Sequence, residues 1–352
     1  MVMQQRITVQ EGCYGERRLD HQGPELDVPR IDENLCGGCK LRCAIVNMSS
    51  QGREVLVVGA YFADLIFRDL SRPVVAGAEV FAGGFSLLPG GAFTLAMAMR
   101  RLGHDVVWAT DFGNDAFSQQ VLSGARAEGL DETGFRHHPI PLRSVTVALS
   151  FPGDRAMVSY QDPITPQSLA ALLLEHRPRV LILPKLQYGA AVQAGLAVAH
   201  QLGTRVFMDC QDVPATLDTL TVREVLAQVD IFAPNTDEAL RLTGTSTVDD
   251  ALEVLAGLVD TVVVKRGSAG AAAVQGGKRF DIAAVAVEVL DTTGAGDCFN
   301  AGFVHAHLTG QQLPHCLNAA VACGAAATTG PGSSAAPDLA GLAHWLSRVP
   351  AP

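Results

Sequence analysis

Apolar and polar positions change period several times along this chain, and the changes divide it. Glu54 to Gly59 (Glu-Val-Leu-Val-Val-Gly) is a continuous apolar run, the pattern of a strand covered on both faces in a parallel sheet. Leu95 to Leu102 is amphipathic at helical spacing and is closed by Gly103. Asp105 to Thr110 predicts a strand, and Phe112-Gly-Asn-Asp115 opens a helix running towards Gly129. Helices at 165–176, around 190–202 and around 222–229 then alternate with strands at 180–183, 205–209 and 230–233. Helical segments between short apolar strands signal βαβ units and a parallel sheet. Two stretches break the alternation. Residues 73–89 hold short β-like pieces, 79–81 and 85–88, and 143–160 reads as a hairpin around Pro152-Gly153-Asp154. Together they predict a small sheet beside the main one. Near the end, Val285 to Leu290 predicts a buried strand, and Cys298 to His307 a helix.

Residues 1–53 follow no such period and predict a disordered or loosely attached extension, with the folded domain at 54–352. The extension holds Cys13, Cys36, Cys39 and Cys43. Cys36, Cys39 and Cys43 could place three thiolates around zinc or an iron–sulfur cluster. No second Cys-x-x-Cys or His-x-x-x-His follows to close the site, and Cys13 is remote.

Composition narrows the class. A length of 352 residues allows one large domain or two small ones, and 48% hydrophobic residues supply a well-buried core. With 26 basic and 36 acidic side chains the net charge is −10, which argues against nucleic-acid and anionic-membrane partners. No apolar stretch long enough for a membrane span and no basic-then-apolar leader stands out. Cys210, Cys298, Cys316 and Cys323 lie in apolar contexts and read as buried free thiols of a cytoplasmic protein. A Gly-x-x-x-x-Gly-Lys-[Ser/Thr] loop is missing, as are a strand-linked Gly-x-Gly-x-x-Gly and any His-Glu-x-x-His. These absences remove P-loop, dinucleotide and zinc-hydrolase readings.

The densest candidate chemistry is Asp291-Thr-Thr-Gly-Ala-Gly-Asp-Cys-Phe-Asn-Ala-Gly-Phe303. Small residues at a strand-to-helix turn let a ligand approach bare N–H groups at the positive end of the helix dipole. Asp297 follows in the first turn, where an acid taken alone is more often a plain complement to the dipole. The segment resembles the C-terminal signature of the ribokinase-like (PfkB) carbohydrate and nucleoside kinases, Asp-Thr-x-Gly-Ala-Gly-Asp-x-Phe-x-x-Gly, and matches it at every fixed position.

That resemblance implies a three-layer α/β/α fold with a central, mostly parallel sheet and a small β-sheet lid, here about 66–90 and 143–161. It implies an ATP-dependent kinase of a sugar or nucleoside hydroxyl, commonly a primary CH2OH, using Mg²⁺ and K⁺. A homodimer through the lid is also consistent with it. Asp297 would be the general base, with the N–H groups of Gly294, Ala295 and Gly296 as the anion hole. Asp64, five residues past Gly59 and at or just beyond the carboxyl end of that strand, would accept hydrogen bonds from substrate hydroxyls, in place of a solvated loop acid. Gly90, Gly91 and Thr94 would face the substrate, although Thr94 stands where the family has Asn and the spacing is one residue short. Ala92 replaces the Lys usual in sugar-phosphate kinases, which favours a non-phosphorylated acceptor. Asn235 and Glu238 match an Asn-x-x-Glu near nucleotide phosphates and Mg²⁺; a helix cap explains the same residues. Lys265, Gly267 and Gly270 match the nucleotide loop, with Lys265 where Thr is frequent. Gly332, between Pro331 and Ser333, matches a loop covering the adenine. Asp291 and Thr293 match a monovalent-cation site.

Overall fold

A computed structural model describes residues 52–152 and 154–350. The extension to residue 51, with Cys13, Cys36, Cys39 and Cys43, lies outside the described residues.

Strand β1 (Val55–Val58) shows why its sequence is apolar throughout. Val55 and Val57 join one core and Leu56 the other, all three fully buried. The first core is built with α1 (Ala92–Arg101), α2 (Ala116–Ala127), α8 (Ala295–Leu308), α9 (Leu313–Ala327) and α10 (Leu339–Leu346). The second is built with α3 (Leu169–His176), α4 (Ala190–Leu202), α5 (Val222–Leu226), α6 (Thr236–Thr243) and α7 (Val248–Ala256). A sheet with helices packed on both faces has no use for alternating polar positions.

Nine strands form that sheet: β13 (Lys278–Ile282), β12 (Ala271–Gln275), β11 (Thr261–Lys265), β10 (Ile231–Phe232), β9 (Arg205–Met208), β8 (Val180–Leu183), β1, β4 (Val106–Phe112) and β5 (Phe135–His137) in spatial order. Pairing is parallel from β5 to β11, and antiparallel for β12 and β13. Chain order runs outward in both directions from β1, so a crevice opens at the carboxyl ends of β1 and β8.

The second sheet is β3 (Gly84–Gly91), β2 (Tyr61–Arg68), β6 (Ser144–Phe151) and β7 (Asp154–Gln161). It is antiparallel except for the β2–β6 pair. The small sheet expected beside the main one is present, with its strands placed differently. Residues 79–81 form no strand, whereas Tyr61–Arg68 does. Only a residue pair, Gly59-Ala60, separates β1 from β2, so the chain passes from the main sheet straight into the small one.

Residues 285–290 also depart from expectation. No strand forms there; Val285 is buried, but Val289 and Leu290 are more than half exposed. The amides of Leu290 and Asp291 both donate to the Thr328 carbonyl just past α9, so this run docks on a helix end and not on a sheet edge. The helix expected from residue 165 begins at Leu169, after the Ser168 side chain caps the Ala171 amide. None of the helices among the described residues is long and apolar enough to cross a membrane. Cys210, Cys298, Cys316 and Cys323 are buried free thiols, as expected.

Candidate active site

Helix α8 begins at Gly294, whose φ of 75° places it in the left-handed region that suits glycine. No side chain caps this helix start. Ala295 N–H is taken by the Thr292 carbonyl at 3.3 Å. The N–H groups of Gly294, Gly296 and Asp297 meet no acceptor among the described residues. The donor set at this turn is thus shifted from the expected Gly294–Ala295–Gly296 trio. A half-buried helix start with free donors is suited to an anion.

Asp297 stands at that helix start. Burial, then the charges of Asp209, Asp64 and Glu238, push its carboxyl up to about 7, against the opposing effect of Lys265. A carboxylate that takes up a proton near neutrality is matched to general-base work.

Asp64 belongs to β2 of the lid sheet, not to a loop at the end of β1. It is 7% exposed, yet its carboxylate accepts no hydrogen bond from the described protein. Burial and the Asp291 charge push it up to about 7. Gly90 lies across the pair from Phe62, and any β-carbon there would overlap the Asp64 carboxylate. Gly91, at φ 64°, ends β3 and caps α1. Its β-carbon would crowd the Ala60 carbonyl at 2.8 Å. The two glycines therefore hold the lid strand against the start of α1, where Thr94 is buried. Thr94 Oγ1 lies 3.3 Å from Ser333 Oγ, and both side chains come within 3.1 Å of where a β-carbon on Gly294 would be. Residues expected on the acceptor side and on the phosphate side thus meet at one point.

Asp291 holds this junction together. One carboxylate oxygen accepts from Thr293 N–H at 2.9 Å and the other from Gly332 N–H at 2.7 Å. Gly332 also sits beneath the lid, with Leu88 within 2.8 Å of its β-carbon position. From the lid's other side, Arg155 on β7 donates to Thr292 Oγ1 at 2.6 Å.

Asn235 and Glu238 form a complete capping box on α6: Asn235 Oδ1 accepts from Glu238 N–H, and Glu238 Oε2 from Asn235 N–H. Glu238 is buried, and its carboxyl is raised by burial and by Asp209. Lys265 ends β11 and is tied to this loop, its N–H donating to the Pro234 carbonyl at 2.9 Å. Gly267 and Gly270 follow in a short turn at φ 56° and 84°. At Gly270 a β-carbon would overlap the Ile282 carbonyl on β13. Among the described residues no group of three or more His, Cys, Asp or Glu could hold a metal by itself.

Two contributors had no motif to mark them. Asp209, just past β9, accepts from Lys265 Nζ at 2.6 Å and from Asn300 Nδ2 at 2.5 Å. Asn300 is three residues past Asp297 on α8, a spacing that puts both on one helix face. That spacing, and an acid at the carboxyl end of a parallel strand, were the available signals.

A model of pfkB family carbohydrate kinases matches residues 53–339. The chain belongs to that family. Its members are phosphotransferases that act on an alcohol group. Ribokinase of Bacillus subtilis is 27% identical over 275 residues, covering 75% of this chain and 89% of that protein. The 1-phosphofructokinase of Rhodobacter capsulatus is 28% identical over 327 residues, covering 87% and 97%. Among solved structures, Arabidopsis thaliana ribokinase complexed with ribose and ATP superposes with a TM-score of 0.71 at 23% identity, covering 84% of this chain and 99% of that one. A putative ribokinase II from E. coli in complex with ATP and Mg²⁺ gives 0.70 at 23% identity, with the same coverage. This carbohydrate kinase has the ribokinase fold.

Proposed function

We propose that this kinase transfers the γ-phosphoryl group of ATP to a hydroxyl, a primary CH2OH, of a non-phosphorylated sugar. The observation that carries the reading is the pairing of Asp297 with unpartnered helix N–H groups beside the unpartnered, buried Asp64. The acceptor hydroxyls bind Asp64, and the backbone at Gly90 and Gly91 and the Thr94 hydroxyl frame them. Asp297 takes the proton of the attacking hydroxyl. The oxygen bonds to the γ-phosphorus, and ADP leaves with the electron pair of the bond that breaks. The N–H groups of Gly294, Gly296 and Asp297 face the negative charge on the phosphoryl oxygens.

The nucleotide lies along Asn235, Glu238, Lys265, Gly267, Gly270 and Gly332. Mg²⁺ fits this donor set only with most ligands drawn from phosphates and water, since the described acids supply no three-ligand cluster. Glu238 would hold it through water, and the ion would neutralise phosphate charge. For K⁺, Asp291 keeps lone pairs beyond its two N–H contacts, and Thr293 adds oxygen beside it. Ala92 speaks against a sugar phosphate, while the similarity to a 1-phosphofructokinase keeps that class among the acceptors to test. A cytoplasmic location suits the buried free thiols. The exposed Met157, Val158 and Tyr160 of β7 offer an edge for a homodimer through the lid, which sedimentation would test.

ADP release with Mg-ATP over a panel of free sugars, nucleosides and sugar phosphates tests the whole reading. Turnover on a free sugar supports it. Turnover only on nucleosides or sugar phosphates replaces the acceptor, and thermal stabilisation by ligands without turnover on any would mark a silent binding protein.

A further inference from the structure

Asp209, Lys265 and Asn300 form a cluster against the helix start; the reading above puts Lys265 along the nucleotide and gives Asp209 and Asn300 no part. Lys265 and Asp209 are nearly buried, with side chains 13% and 5% exposed and a 2.6 Å contact. The second Asp209 oxygen is occupied as well, by Cys210 N–H at 2.7 Å. Asn300 donates to the oxygen that Lys265 uses, so this carboxylate has one fixed orientation. Such a buried pair contributes little net stability over an apolar pair of the same shape, because both charges lose their hydration. Its placement is more informative. Lys265 Nζ is 3.7 Å from the β-carbon position of Gly296, whose N–H is unpartnered. The ammonium therefore borders the place where an anion would meet the helix donors. Asn300 is the third member, fixed by its Nδ2 contact to Asp209. It is fully buried, and its Oδ1, an acceptor, has no partner among the described residues.

We infer that Lys265 is a further catalytic residue that contacts the transferring phosphoryl group, and that Asp209 and Asn300 are its positioning residues. The inference rests on the kinase reading above. Lys265 takes part in no bond change: the acceptor proton goes to Asp297 and the bond electrons to ADP. Its contribution is a fixed positive charge, placed where phosphoryl oxygens add negative charge to a site already holding Asp64, Asp209, Glu238, Asp291 and Asp297. The structural alternative is that Lys265 only neutralises Asp209. The two differ in what they do for the third phosphate.

Calorimetric titration of the full chain with ADP and with β,γ-methylene-ATP, both with Mg²⁺, separates them. In wild type the triphosphate analogue binds more tightly than ADP. Lys265→Met reduces that preference about 10- to 100-fold, the scale of one charge-assisted hydrogen bond. Equal weakening of both nucleotides, or none, overturns the inference and leaves the kinase reading standing. Failure of wild type to bind either nucleotide overturns both. Should Lys265→Met fold poorly around an unpaired Asp209, Lys265→Met with Asp209→Asn removes both charges, and the preference must again be lost. A pH profile of kcat on whichever acceptor the panel identifies adds a readout that mere packing would not move. The groups facing Asp297 are Asp209, Lys265, Asp64 and Glu238. Lys265→Met shifts the acid limb to higher pH and Asp209→Asn shifts it lower; shifts in the same direction refute the assigned roles.

Discussion

Asp64→Asn tests the site through stability as well as activity. The substitution keeps the shape and removes a charge that is 7% exposed, unpartnered and repelled by Asp291. Its carboxyl is raised from 3.8 to about 7. A raised folded-state value means that the native protein holds a proton the unfolded chain has lost. The contribution to stability is full below 3.8 and is lost as pH climbs to about 7. Each pH unit in that window costs about 1.4 kcal/mol, so the whole span costs roughly 4 kcal/mol as an upper bound. From pH 6 to pH 8.5 only the first unit counts, giving about 1.4 kcal/mol that the Asn variant does not lose. For a domain this size that is about 2–4 °C in Tm. Thermal unfolding of both proteins at the two pH values should show the variant's advantage growing by that amount. Acceptor KM should rise by about 10- to 100-fold, with ADP affinity unchanged, because a charged hydrogen-bond acceptor for hydroxyls has been lost. An advantage that shrinks from pH 6 to pH 8.5 would refute the reasoning, since Asp64 would then be stabilised as an anion by partners not identified.

Three further outcomes are expected. Asp297→Asn should lower kcat by about 10²–10⁴ while nucleotide affinity stays within a few-fold, and full turnover would remove Asp297 as the base. Gly90→Ala should weaken acceptor binding more than ATP binding, because its β-carbon overlaps the Asp64 carboxylate; steady-state KM values for the two substrates check this. Rates in K⁺ should exceed those in a large organic cation at equal ionic strength, and identical rates would argue against a cation at Asp291 and Thr293.

Much of the architecture was legible in one dimension. The apolar β1 run, the helix spacing at 190–202 and the Gly-Ala-Gly-Asp turn each carry a local physical signal, periodicity or backbone freedom, that survives any context. The run at 285–290 shows the limit of such signals. Its β-branched residues favour extended backbone, but whether an extended segment pairs depends on a free sheet edge, and this one found the end of α9 instead. Asp64 shows it again, being read as a residue at the end of β1 when it lies within a lid strand that starts just beyond.

For the site, the sequence by itself determined the phosphate end: a turn of small residues, a helix start and Asp297 are adjacent in the chain. Tertiary structure alone decided the rest. Asp209, Lys265 and Asn300 come from two different strand ends and a helix, and Thr94 and Ser333 from opposite ends of the domain. Their contacts are set by strand order and helix packing over separations of tens to hundreds of residues, and local propensity carries no record of them.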